Sequence, residues 1–118
     1  MTLRDQIQQV IDDEPVAIFM KGTPEMPLCG NSLRALQALR SAGAPITAVD
    51  ILPDPRIRQE LSALSDWPTI PQVFIRGELV GGADITEELY ASGELQAKLT
   101  EALGADRAHE ERTVAVTP

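Results

Sequence analysis

The sequence predicts an α/β protein in which a parallel strand–helix–strand half is joined to an antiparallel hairpin backed by helices. Three observations carry that prediction. Val16-Ala17-Ile18-Phe19-Met20 is a short, nearly all-apolar run, the pattern of a strand buried on both faces of a parallel sheet. A helix-favouring stretch from Ser32 to Ala42 separates it from a second such run, Ile46 to Ile51, and crossovers of this kind are almost always right-handed. Gln72 to Arg76 and Leu79-Val80 flank Gly77-Glu78, which reads as a hairpin turn.

The remaining elements follow in order. Leu3, Ile7, Val10 and Ile11 fall at helical spacing after Thr2, with Asp5 in the capping-box position. Pro15 ends that helix. Lys21 to Leu28 contains two prolines and a glycine, so it reads as a loop. In the next helix Leu33, Leu36 and Leu39 share one side, and Gly43 suits the position after its end. Asp54-Pro55 is a helix cap followed by proline at the first helical position, and Ile57, Leu61 and Leu64 mark a helix ending near Ser65. Trp67-Pro68-Thr69-Ile70-Pro71 excludes regular structure. Asp84 with Glu87 reads as an acidic cap for a short helix to about Ala91. Glu94 to Leu103 is the last helix. Residues 1–104 therefore read as one domain. After Gly104 the periodicity vanishes, so residues 105–118 read as a mobile tail, with His109 solvated and Glu110-Glu111 exposed.

Composition narrows the function. The chain has 118 residues, one Cys, one His and a formal charge of −8. One Cys excludes an internal disulfide, and one Cys with one His falls short of a structural zinc site. The acidic balance argues against a nucleic-acid surface. No run approaches the roughly 18 apolar residues of a membrane span, and the first residues lack the pattern of a signal peptide. A soluble, reduced, cytoplasmic protein is the expectation.

Three places carry candidate chemistry. Cys29 stands just before a helix, where free N–H groups and the helix dipole favour a thiolate, and Lys21 lies in the same loop. The alternative is a small buried hydrophobe. The Trp67–Pro71 stretch, next to a strand, leaves backbone groups free to pair with an extended peptide. The alternative is a rigid loop packed by Trp67. Gly81-Gly82 before Asp84 suits a carboxylate and an ammonium, or is an ordinary cap. Arg58 alone reads as a solvated charge.

Together, Lys21-Gly-Thr-Pro-Glu-Met-Pro-Leu-Cys29-Gly-Asn-Ser32, Trp67-Pro-Thr-Ile-Pro-Gln72 and Gly77-Glu-Leu-Val-Gly-Gly-Ala-Asp84 resemble the monothiol glutaredoxins marked by a Cys-Gly-Phe-Ser site. The resemblance runs from about residue 3 to residue 103 and includes the seven residues between Lys21 and Cys29. It implies a thioredoxin fold with a four-stranded mixed sheet flanked by helices, and a glutathione site. Lys21 and Arg58 would contact the glycine carboxylate of glutathione. The backbone at Ile70, beside a cis Pro71, would pair with its cysteine, and Ala83 and Asp84 would hold its γ-glutamyl end.

The same resemblance implies a [2Fe–2S] cluster carried between two protomers, with Cys29 of each chain as a ligand. Such a cluster takes four thiolates, so two chains would need two glutathiones, or a partner's ligands, to complete it. BolA-like proteins and iron–sulfur clients are the implied partners. The alternative function is a monothiol glutathione-disulfide oxidoreductase that deglutathionylates proteins, with weak activity expected from the long loop before Cys29. A redox-inert interaction module is a third reading. Two positions depart from the family pattern. Asn31 replaces the usual Phe, which predicts greater solvent access and altered hydrogen bonding near Cys29. Ala83 stands where many relatives carry a second Cys, which leaves no internal resolving thiol.

Overall fold

The computed structural model describes residues 1–118. Its elements are α1 (Leu3–Asp13), β1 (Val16–Met20), α2 (Gly30–Ser41), β2 (Ile46–Asp50), α3 (Pro55–Ser65), β3 (Gln72–Ile75), β4 (Glu78–Gly81), α4 (Ala83–Ser92), α5 (Glu94–Leu103) and β5 (Glu111–Thr113). The sheet order is β4-β3-β1-β2-β5. β1 runs parallel to β2 and antiparallel to β3, and β3 and β4 form the hairpin. No helix is long and apolar enough to cross a membrane.

The alternation of β1 explains why this strand is apolar throughout. Val16, Ile18 and Met20 enter one core with Leu36 and Leu39 of α2 and Leu95 and Leu99 of α5. Ala17 and Phe19 enter the other, with Ile7 of α1 and Ile57 and Leu61 of α3. Phe19 meets Phe74 edge to face, with ring centroids 5.7 Å apart. Burying a side chain of this kind stabilises the fold by about 1.5–3 kcal/mol.

Local signals set several boundaries as expected. The Thr2 hydroxyl accepts from the Asp5 N–H at 3.1 Å, and the Thr2 N–H donates to the Asp5 carboxylate at 3.2 Å. Asp54 caps α3 by accepting from the Arg56 N–H at 2.9 Å, with Pro55 at the first helical position.

Two local readings shift. The hairpin turns at Arg76-Gly77, both at positive φ (50° and 81°), one residue earlier than the sequence suggested. Two central residues at positive φ match the twist of the flanking strands, and Glu78 is released to pair with Ile75. The cap of α4 is Gly82, with no side-chain bond, so Asp84 lies inside the first turn and its carboxylate is free for other partners.

The larger corrections concern the C-terminal segment. The sheet has five strands, not four, and the segment expected to be a mobile tail supplies the fifth. β5 pairs in parallel with β2, Ile46 opposite Glu111 and Ala48 opposite Thr113. Arg40 of α2 holds Glu111 through its Nε at 2.6 Å and Nη2 at 2.7 Å. His109 is tied too: its Nδ1 lies 2.9 Å from the Ala44 carbonyl and its Nε2 lies 2.9 Å from Glu111. Arg112 pairs with Glu14, Gln6 and Thr117 exchange two hydrogen bonds, and Val116 is buried in the second core. These links join residues far apart in the chain, so periodicity after Gly104 carried no sign of them.

Candidate functional site

The C-terminal end of β1 and the start of α2 place the thiol. Cys29 is the cap residue of α2, in extended conformation, and its side chain makes no capping bond. It is partly exposed. The backbone N–H of Ser32 favours its thiolate most, the N–H of Asn31 and the charge of Lys21 add to this, and partial burial opposes them. The net effect lowers the Cys29 pKa from the ordinary thiol value, as helix N-termini do.

The loop before Cys29 is fixed by residues the sequence did not single out. Buried Ser32 accepts the Lys21 N–H at 3.0 Å. One Asp50 oxygen accepts the N–H groups of Gly22 and Leu52, each at 3.0 Å. Thr23 and Met26 exchange backbone bonds across a turn, and the Leu28 N–H returns to the Lys21 carbonyl at 3.0 Å. Gly22 sits at φ +90°, and a Cβ there would lie 2.4 Å from the Met26 carbonyl oxygen. Only glycine closes this loop without distortion.

Between the Trp67–Pro71 stretch and the starts of α2 and α4 runs a cleft of about 330 Å³. Ile70, Pro71, Ala83 and Asp84 all line it, together with Asn31 and Arg34 of α2. Four of the residues singled out in the sequence therefore share one surface. Cys29 is not among the lining residues and precedes Asn31 by two positions at the start of α2. Arg58 stands apart from the lining, with its Nη2 3.3 Å from the Pro68 carbonyl. Lys21 also lies outside the lining, and its charge acts on Cys29.

The wall formed by Trp67–Pro71 is held from behind. Gln72 is fully buried, and its Nε2 donates to the Trp67 carbonyl at 2.9 Å and the Thr69 carbonyl at 3.2 Å. The Ile70–Pro71 bond is cis. On the opposite wall, Asn31 is exposed, and its Oδ1 accepts from Arg34 Nη1 at 3.0 Å. Arg34 Nη2 reaches Asp84 at 2.7 Å, and its guanidinium also pairs with Glu87. Those carboxylates raise the Arg34 pKa further above its ordinary value.

Chemically, this end of the molecule offers one thiol whose thiolate form is favoured and a cleft with a peptide-like wall and charged groups at its rim. No three His, Cys, Asp or Glu side chains gather to hold a metal ion. Cys29 alone supplies one soft ligand.

Comparison with known proteins converges on one family. The glutaredoxin family model matches residues 16–80. A probable monothiol glutaredoxin, GrlA, of Legionella pneumophila is 50% identical over 88 residues, covering 75% of this chain and 99% of the relative. The solution structure of reduced poplar apo GrxS14 is 44% identical, with TM-score 0.76, covering 86% of this chain and 94% of that one. A crystal structure of a buckwheat glutaredoxin–glutathione complex is 26% identical, with TM-score 0.74, covering 85% and 89%.

Proposed function

Since the chain belongs to the glutaredoxin family and stands with its monothiol members, we propose that it binds glutathione and carries a [2Fe–2S] cluster as a bridged dimer. The observation that carries this reading is Cys29: a partly exposed, thiolate-favouring side chain and the only thiol in the chain. A cluster held by four thiolates needs more than one such chain gives. Two protomers contribute two ligands, and two glutathiones seated beside Cys29 contribute the rest. Ligands that can leave suit a cargo meant for transfer to iron–sulfur clients.

Several features support glutathione as the guest. Glutathione is a short extended peptide with two carboxylates and one ammonium. The Ile70 backbone beside Pro71 offers strand-like pairing to its middle. Ala83 and Asp84, at the uncapped start of α4, suit its γ-glutamyl end. Arg58 and Lys21, outside the cleft lining, suit its glycine carboxylate. Asn31 adds a polar, exposed neighbour to the thiol.

Anaerobic reconstitution with iron, sulfide and glutathione tests the reading. A visible charge-transfer band and a dimer are expected for the wild type and absent for Cys29→Ser. A wild type that stays colourless and monomeric overturns it.

The lowered Cys29 pKa favours a second reading, protein deglutathionylation. The Cys29 thiolate attacks the glutathionyl sulfur of a mixed disulfide, and the released protein thiolate takes up a proton. A second glutathione thiolate then attacks the Cys29 mixed disulfide, forming oxidised glutathione and restoring Cys29. Turnover in a glutathione-reductase-coupled assay, lost in Cys29→Ser, is the readout.

A further inference from the structure

Arg34 is the only cation lining the cleft, and neither wall explains why it is held so firmly. Its Nε donates to Glu87 at 2.9 Å. Its Nη2 serves Asp84 at 2.7 Å and also Glu87, and its Nη1 donates one bond, to Asn31 at 3.0 Å. A guanidinium has five N–H groups, so one Nη1 N–H remains unspent. Asp84 is engaged through Oδ1, which leaves Oδ2 open on a largely exposed side chain. One anchored donor and one anchored acceptor of opposite charge thus stand side by side at the start of α4.

We propose that Arg34, set by Asn31, is a positioning and specificity residue for the zwitterionic α-amino-acid end of the γ-glutamyl group. This deepens the glutathione reading and rests on it. Arg34 holds Asp84 so that Oδ2 faces the ligand's ammonium, and its spare N–H is directed to the α-carboxylate on the same carbon. The uncapped N–H groups at the start of α4 favour a carboxylate and Asp84 an ammonium; Arg34 adds a charged donor for that carboxylate beside the acceptor it holds in place. Asn31, the departure from the family's Phe, acquires a role: it joins the helical turn that carries Cys29 to the residue that reads the far end of the ligand.

Calorimetric titration of the wild type, Arg34→Gln and Asn31→Ala with three ligands tests this. The ligands are reduced glutathione, 4-aminobutyryl-Cys-Gly, which lacks the α-carboxylate, and glutaryl-Cys-Gly, which lacks the ammonium. The wild type is expected to prefer glutathione over the decarboxylated analogue by about tenfold, as loss of a charge-assisted hydrogen bond implies. In Arg34→Gln that preference falls to about threefold, the share left to the backbone N–H groups of α4, and in Asn31→Ala it falls by a smaller factor. Equal melting temperatures for the three proteins confirm intact folding. An undiminished preference in Arg34→Gln overturns the proposal, as does equal weakening of all three ligands. A wild type that binds none of them overturns the glutathione reading itself, and the proposal with it.

Discussion

The thiol end of the molecule and the C-terminal segment that adds β5 are built on opposite plans. At the thiol end, backbone groups and glycines shape the surface, and beside the Arg34 network some polar atoms are left uncommitted: the start of α4 has no side-chain cap, and the Trp67 indole nitrogen has no partner. Around β5, polar side chains are spent on each other, as in Arg40 with Glu111, Arg112 with Glu14, and Gln6 with Thr117. A surface meant to receive a guest keeps unspent bonds, whereas one meant to hold a chain in place consumes them. The two ends should therefore separate under mutation.

The largest separation is expected from Cys29→Ser. Cluster absorption, cluster-dependent dimerisation and deglutathionylation should all vanish, while the melting temperature holds, because the Cys29 side chain makes no capping bond. Absorption spectra paired with thermal melts check this. Truncation after Gly104 should do the reverse. Removing buried Val116 alone costs about 1.5–3 kcal/mol, and loss of β5 adds to this, with glutathione affinity retained. Urea denaturation alongside calorimetry decides whether the two properties part.

Gln72→Leu should cross the divide. It strips the Trp67 and Thr69 carbonyls of their donor, which costs about 1–3 kcal/mol in stability and loosens one wall of the cleft. Reduced stability together with weaker glutathione binding is the expected pair. Retained affinity would show that the wall does not need its buried brace.

The smallest effect concerns pH. Because the folded Cys29 pKa is lowered, the thiolate contributes stability that is fully present above the unfolded thiol's pKa of about 8.5. That contribution is lost as the pH falls through the lowered folded value. The rate of alkylation against pH should have its midpoint below that of an unfolded thiol. Lys21→Gln should move the midpoint upward, by less than the backbone N–H groups of Ser32 and Asn31 lower it.

The parts of this molecule legible in its sequence are those with short-range causes. Val16–Met20 had to be buried on two faces, Asp54-Pro55 had to begin a helix, and Trp67–Pro71 had to interrupt the regular structure. The parts that escaped depend on partners across the fold. Glu111 is an exposed charge until Arg40, 71 residues away, comes beside it. Asp84 is a helix cap by pattern, yet Gly82 takes that place and Arg34 takes the carboxylate. Gln72 was visible only as the end of a motif, since its two acceptors become evident once the loop has folded back over it. The cleft was legible through motifs, whereas the bracing behind it was not.

β5 also bears on the behaviour of the protein in concentrated solution. Without it, the Ile46–Val49 stretch of β2 would present an unpaired edge to neighbouring molecules, the kind of edge that templates aggregation. With it, the sheet ends on three residues, Glu111-Arg112-Thr113, two of them charged. At the other margin, β4 begins with exposed Glu78 and carries an irregular register against β3. Both margins are short, charged or kinked, features by which natural sheets resist sticking edge to edge. The C-terminal segment thus covers the β2 edge that would otherwise be open for pairing with another sheet.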